Sequence, residues 1–243
     1  MMISNNSELK KVIAIMQPYF LPYIGYFQLI NSVDTFVVYD DIEYTKKGWI
    51  NRNRILVNGK PQYISLAIKK DSDYLNVNER YLADSWSKDK TKILNKVKGL
   101  YRKAPYYKET MPIIETIINF EESNLFGFIY NSIKVLCEHL EIDTELINSS
   151  ELDYDPSLKS QDKVLNICEV TKANVYHNSI GGMELYDKES FSKKNINLKF
   201  VESKINTYKQ FNEDFVPGLS ILDVLMFNDK TEVKNWLNNY RLI

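Results

Sequence analysis

Five groups of residues have types and spacings that can do chemistry. The first is Gln17-Pro18-Tyr19-Phe20-Leu21-Pro22-Tyr23-Ile24-Gly25-Tyr26. Pro18 and Pro22 stiffen it, because proline fixes φ and removes an amide donor. Gln17 offers both a donor and an acceptor, and Tyr19, Tyr23 and Tyr26 offer faces on which a base or sugar can stack. Gly25 exposes backbone N–H groups to a phosphate at a helix start. The second group is Asp40, Asp41 and Glu43 with Lys46. Adjacent carboxylates raise one another's pKa, which suits a general base or a magnesium ligand set. The third is Asn51-Arg52-Asn53-Arg54. Alternate residues of an extended segment share a face, so Arg52 and Arg54 can grip a phosphate or carboxylate together.

The fourth group is Tyr176-His177-Asn178-Ser179-Ile180-Gly181-Gly182. Gly181 and Gly182 make a ligand-ready turn, and His177 titrates near neutral pH as a general acid or base. The fifth contains Ser220 and Asp223, which read as a helix N-cap and its capping box. A Ser-His-Asp set can be written from Ser220, His177 and Asp223, but no Gly-x-Ser-x-Gly elbow accompanies it.

The elements that must position these groups follow from hydrophobic patterning. Residues 12–16 form an unbroken apolar run, the mark of a strand buried on both faces. After the proline loop, Ile24, Phe27 and Ile30 fall on one helical stripe. Residues 35–40 are β-branched and aromatic, a second strand. Strand, helix, strand at this spacing predicts a parallel pair with the acids of residues 40–43 near the proline loop. Asn58-Gly59 predicts a hairpin turn between residues 55–57 and 62–68. Helices are expected over 86–101, 106–120, 125–140, 161–172, 186–193, 217–227 and 231–240. Strands are expected over 143–149, 173–178 and 197–201. The whole predicts a Rossmann-like α/β fold: a parallel sheet core with helices on both faces. One domain spans 11–243, with a mainly helical insertion at about 84–140 and a flexible N-terminus at 1–10.

Composition excludes several classes. Among 243 residues, 31 Lys and Arg face 32 Asp and Glu, so bulk charge does not predict a nucleic-acid partner. No apolar run approaches the ~20 residues of a membrane helix. The polar start lacks a signal-peptide core, and Cys137 and Cys168 sit in apolar helical patterns as buried thiols, which together point to a cytoplasmic protein. With His139 and His177 the only histidines and no Cys/His pair at ligand spacing, no metal centre is expected.

Several of these motifs, in order, resemble the WbqC-like family. They are Met16-Gln17-Pro18-Tyr19-Phe20-Leu21-Pro22-Tyr23-Ile24-Gly25-Tyr26-Phe27, Asp40-Asp41-Ile42-Glu43-Tyr44, Asn51-Arg52-Asn53, residues 176–182, Tyr186 and Leu219-Ser220-Ile221-Leu222-Asp223. Many members carry His where this chain has Met16. The resemblance implies a bacterial setting in O-antigen and other surface-polysaccharide gene clusters. It implies an enzyme that transfers an aminoacyl group such as glycyl, or an acyl group, to the amine of a nucleotide-linked amino sugar. No cofactor is firmly implied, with ATP and magnesium or an activated amino-acid donor as the possibilities, and oligomeric state is not implied. The alternatives are a non-catalytic nucleotide-sugar binding protein and an adenylate-forming amide ligase. A fainter similarity links the first strand, loop and helix to the HxGH region of nucleotidylyltransferases, with Tyr23 and Tyr26 at the two histidine positions. On this reading His177, Asp40 or Asp41 supplies the base. Gln17, Pro18, Tyr19, Tyr23, Gly25, Tyr26, Glu43, Asn51, Arg52, Arg54, Gly181 and Gly182 bind substrate.

Overall fold

β1 (Val12–Met16) is central in a six-stranded sheet because its side chains are apolar on both faces. The computed structural model describes residues 10–211 and 214–243, so the flexible start expected at 1–10 falls almost wholly outside the described residues. β1 leads through the proline loop into α1 (Ile24–Asn31) and then β2 (Thr35–Val38). β1 and β2 pair in parallel, Ile13 opposite Thr35 and Met16 opposite Val38, as the strand–helix–strand spacing requires.

The chain then leaves the sheet for a hairpin, β3 (Arg52–Val57) and β4 (Lys60–Ser65). Asn58 and Gly59 both take positive φ, 50° and 74°, which is the geometry an Asn-Gly hairpin turn needs. Three helices follow, α2 (Trp86–Tyr101), α3 (Tyr107–Ile118) and α4 (Leu125–Leu140). The chain re-enters the sheet as β5 (Glu145–Asn148), then α5 (Ser160–Val170), β6 (Val175–Ser179), α6 (Lys188–Lys193) and β7 (Asn197–Ser203). It ends in α7 (Ile221–Phe227), α8 (Lys230–Trp236) and β8 (Tyr240–Leu242).

The sheet order is β5-β2-β1-β6-β7-β8, parallel except for β8. Alternation sorts its side chains between two cores. Ala14, Phe36 and Val38 join the core built on α1, α4 and α7, whereas Ile13, Ile15, Val37, Tyr176 and Phe200 join the one built on α5 and α6. Helices therefore cover both faces, and the fold is a Rossmann-like α/β architecture.

Two boundaries at the C-terminus depart from the sequence expectation. The helix expected over 231–240 stops at Trp236, and residues 240–242 add an antiparallel strand to the edge of β7. Three residues are too few to show a period of two. The helix expected from 217 starts at Ile221, because Ser220 caps it by accepting from the Leu222 amide. Among the described residues no helix is long and apolar enough to cross a membrane.

Candidate functional site

In the sheet order, β1 connects to β2 on one side and has β6 on the other. Open parallel sheets take ligands at such a switch point, beyond the carboxyl ends of the strands. A cleft of about 430 Å³ lies there. Its walls include Met16, Gln17 and Tyr19 after β1, Tyr39 and Ile42 after β2, and Asn178, Ser179, Gly181, Gly182 and Tyr186 after β6. The proline loop and the glycine turn, 160 residues apart in sequence, thus form one site. None of its lining side chains carries a charge at neutral pH. Burial raises the Tyr19, Tyr39 and Tyr186 phenols, so they remain protonated hydrogen-bond donors.

The loop that forms one wall is held at several points. Phe20 donates its amide to the Ile50 carbonyl at 3.0 Å, and Asn53 Nδ2 donates to the Phe20 carbonyl at 3.2 Å. Leu21, fully buried, takes φ +43°, a left-handed conformation rare for a branched residue. Such an outlier persists only where surrounding packing dictates it, and here it turns the chain between Phe20 and Pro22. The Ser220 hydroxyl donates to the Leu21 carbonyl at 2.8 Å, and the Ile221 amide donates to the Pro22 carbonyl at 2.9 Å. Pro18 is buried beside it.

Tyr19 also belongs to a second cleft, of about 310 Å³, shared with Tyr23, Trp49, Asn53, Arg54 and Gly218. The Arg54 guanidinium lies 5.3 Å from the Trp49 ring centre and donates to the Gly218 carbonyl at 3.0 Å. Cation–aromatic stacking of this kind makes a flat, positively charged shelf. The two clefts meet at the Tyr19 ring.

Several residues expected at the site lie elsewhere. His177 is 5% exposed in the middle of β6, opposite Ala14, with Nδ1 3.1 Å from the Ser32 hydroxyl at the end of α1. Burial pushes its imidazole down to about 4, so the expectation of a neutral-pH base at the cleft is corrected: His177 is interior and neutral. Asp40, 2% exposed, is saturated by the Ser149 and Ser150 hydroxyls, the Ser150 amide and Asn78 Nδ2, at 2.6 to 3.0 Å. It ties β2 to the segment after β5 and does not face the cleft. Asp41 pairs with Lys163 at 3.3 Å, accepts from Tyr154, and shares the single Ser149 hydroxyl proton with Asp40. With every oxygen of both carboxylates engaged, the pair does not present itself as a magnesium ligand set. Among the described residues no three His, Cys, Asp or Glu side chains are grouped to hold a metal ion.

Tyr26 is 3% exposed and donates to the Gln17 carbonyl at 2.9 Å, supporting the loop from beneath. Gly25 is a packing residue. A Cβ there would lie 2.3 Å from the Tyr23 ring and 2.6 Å from Ser203 Oγ, so these groups fill the space expected for a phosphate. Arg52 and Arg54 do share a face of β3, but they reach different groups. Arg52 donates to the Gly48 carbonyl at 3.0 Å and to that of Lys47, and stacks 4.4 Å from the Tyr63 ring centre, so the joint clamp does not form. Both ends of the Asn51 amide are occupied, by the Tyr44 hydroxyl and the Leu66 carbonyl. Glu43 is exposed and bridges through its backbone to Asn76. Asp223 is not a capping-box acid. Its carboxylate is buried and accepts from Tyr101 and Tyr208, each at 2.7 Å, and from Gln210 at 2.9 Å. Ser220, His177 and Asp223 therefore form no triad.

Two contributors were not marked in the sequence. Trp49, next to a glycine in a polar segment, gives no periodic signal. Lys163, 8% exposed, is packed 4.8 Å and 4.9 Å from the Tyr39 and Tyr154 ring centres, and its place in an ordinary amphipathic helix concealed it.

A sequence model of the WbqC-like protein family matches residues 17–235, which include the loop from Gln17, the glycine turn and the lining of both clefts apart from the end of β1. A Mycobacterium tuberculosis (strain ATCC 25618 / H37Rv) relative described as uncharacterized protein Rv1507c is 29% identical over 235 residues, covering 95% of this chain and 99% of its own. No solved structure matches the chain.

Proposed function

The chain belongs to the WbqC-like protein family, and we propose that it acts in bacterial surface-polysaccharide precursor synthesis, transferring an aminoacyl or acyl group to the amine of a nucleotide-linked amino sugar. One observation carries this reading: an uncharged cleft at the switch point shares the Tyr19 ring with an aromatic cleft bearing Arg54. A sugar is recognised by amides, hydroxyls and ring faces, which Gln17, Asn178, Ser179, Tyr39 and Tyr186 supply. A nucleotide needs a flat apolar surface for its base and a cation for its phosphates, which Tyr23, Trp49 and Arg54 supply. A ligand lying across Tyr19 uses both.

In the transfer, the sugar's neutral amine attacks the acyl carbon, the donor's leaving group departs with its electron pair, and the amine's proton passes to a base. Asp41 is the base in this reading, and to take the proton it must release one of the Lys163, Tyr154 and Ser149 contacts that hold its oxygens. It lies between Tyr39 and Ile42, both of which line the cleft, and its side chain is 20% exposed where Asp40 is closed off. A specific observation favours a second reading, a binding protein without turnover: Met16 and not an ionisable group lines the cleft just before Gln17.

The test is calorimetric titration with a panel of nucleotide-linked amino sugars, with and without ATP and magnesium. The expected result is saturable binding by one of them, with Tyr19→Ala weakening it 10- to 100-fold, about 1.4 to 2.8 kcal/mol. No binding across the panel removes the reading. Asp41→Asn then separates enzyme from binder, since it abolishes transfer while leaving affinity within threefold.

A further inference from the structure

A third cavity, of about 580 Å³, shares no lining residue with the two clefts that meet at Tyr19. Arg80 lies in its wall with Tyr44, Lys46, Asn51, Lys70 and Ser72. Arg80 is 4% exposed, and among the described residues no carboxylate pairs with it. Asp73 acts on it through space but is taken up by Lys46, and a buried cation without a contacting counter-charge is costly.

The guanidinium is nevertheless held in a defined position. It lies 4.4 Å from the Tyr44 ring centre, and one terminal nitrogen donates to the Ser72 carbonyl at 2.6 Å. Tyr44 is fixed in turn by its hydroxyl bond to Asn51 Oδ1 at 2.9 Å. Nε is buried with no partner. A guanidinium has five N–H donors, so this one retains an oriented set for an anion.

We propose that this cavity binds a phosphoryl group, with Arg80 as its anchor and Lys70 as the second cation. The rim, which also carries Asp71 and Asp73, keeps an excess of positive charge. Lys46 is paired with Asp73 at 2.6 Å, and Lys69 with Asp84 at 2.8 Å. Asp71 accepts from the Ser72 amide at 2.7 Å. Arg80 and Lys70 are left without carboxylate partners among the described residues. Asp71 lines the same cavity, so Arg80 and Lys70 leave one net positive charge there, and the tetrahedral oxygens of a phosphoryl group suit a bidentate guanidinium and a mobile ammonium. Phosphoryl oxygens can come from free phosphate, pyrophosphate or the phosphate chain of a nucleotide, and all present the same chemistry here.

The experiment is calorimetric and thermal-shift titration of the full chain with inorganic phosphate, pyrophosphate and ADP. Wild type is compared with Arg80→Lys, Lys70→Glu and Tyr19→Ala. Wild type should bind pyrophosphate saturably. Arg80→Lys keeps the charge but loses the planar fork and should bind at least tenfold more weakly. Lys70 is exposed, so Lys70→Glu should fold normally, and it too should lose at least tenfold even where Arg80→Lys fails to fold. Tyr19→Ala should bind pyrophosphate like wild type, which separates this site from the sugar-nucleotide clefts. Stronger binding of phosphate or pyrophosphate than of ADP identifies the free anion as ligand, and the reverse identifies the nucleotide chain. Three results overturn the proposal: no binding of any of the three anions at millimolar concentration, wild-type affinity in the folded Arg80 and Lys70 variants, or loss in Tyr19→Ala alone.

Discussion

The switch-point cleft and the interior beneath it use opposite chemistry. The cleft is lined by amides, hydroxyls, glycines, tyrosines and apolar side chains such as Met16 and Ile42, with no ionised side chain in its wall among the described residues. The interior holds ionisable groups in closed arrangements: Asp40 among two serines and an asparagine, Asp223 among two tyrosines and a glutamine, and His177 against Ser32. A buried carboxylate or imidazole in this protein is therefore a poor guide to the switch-point cleft. Such groups fasten distant chain segments together, and neutral groups at strand ends line the cleft. The comparison implies a separation that experiment can break: interior changes should move stability and leave affinity alone, and cleft changes should do the reverse.

Asp40 gives the largest expected effect. Asp40→Ala leaves the Ser150 amide and hydroxyl and the Asn78 amide without their acceptor between β2 and the segment after β5, while the Ser149 hydroxyl keeps Asp41. Orphaning several buried donors at once should cost about 3 to 5 kcal/mol of unfolding free energy. Urea unfolding measures it. A variant of wild-type stability whose transfer activity is gone would break the separation and return Asp40 to the chemistry.

His177 gives the next. Its folded-state pKa of about 4 lies below the ordinary 6.5, so protonation is disfavoured in the native state. The sign follows: its contribution is complete above pH 6.5 and is lost as pH falls through that value to about 4. A depression of this size is worth roughly 3 kcal/mol. Asp223 acts in the opposite direction. Burial raises its pKa, so its contribution is complete below the ordinary carboxylate range and declines as pH rises through the folded value. His177→Asn should flatten the stability profile between pH 6.5 and 4 while sugar-nucleotide affinity at pH 7.5 stays within twofold. An unchanged acid limb would mean that the imidazole is not the group being protonated.

These cases explain what could be read from the sequence. The parallel β1–β2 pair, the Asn-Gly hairpin and the Ser220 cap were legible because each rests on local rules: a buried apolar run, a turn with positive φ, a hydroxyl before a helix. The loop and the glycine turn were legible as candidates because α/β sheets expose strand ends. That His177 points away from them was not legible. Side chains on a strand alternate between faces, and which face of β6 carries α1 depends on a strand order that no local signal encodes. The same holds for Asp40, whose partners Ser149 and Ser150 are more than 100 residues away. Arg80 was missed because it stands in a short polar connection, and its burial arises only when residues 44 and 72 close over it.

The smallest expected change in stability tests the other half of the comparison, at the paired glycines. A Cβ on Gly182 would lie 2.3 Å from Asn178 Nδ2 and 3.5 Å from the Tyr186 ring, whereas a Cβ on Gly181 meets nothing within 4 Å. Neither glycine has a positive φ, so alanine is not strained by the backbone at either position. Nδ2 is the far end of a rotatable side chain, so Gly182→Ala can be accommodated if Asn178 turns, and both residues line the cleft. Gly182→Ala should therefore change the unfolding free energy by less than about 1 kcal/mol, in the range usual for an accommodated substitution. It should weaken sugar-nucleotide binding about tenfold, because it displaces the amide that the proposed function sets against the sugar. Gly181→Ala, which disturbs no neighbour, should leave Asn178 in place and change affinity less than threefold. Equal affinities for the two variants would mean that Asn178 does not touch the ligand, and the sugar would then have to lie on the Tyr39 side of the cleft.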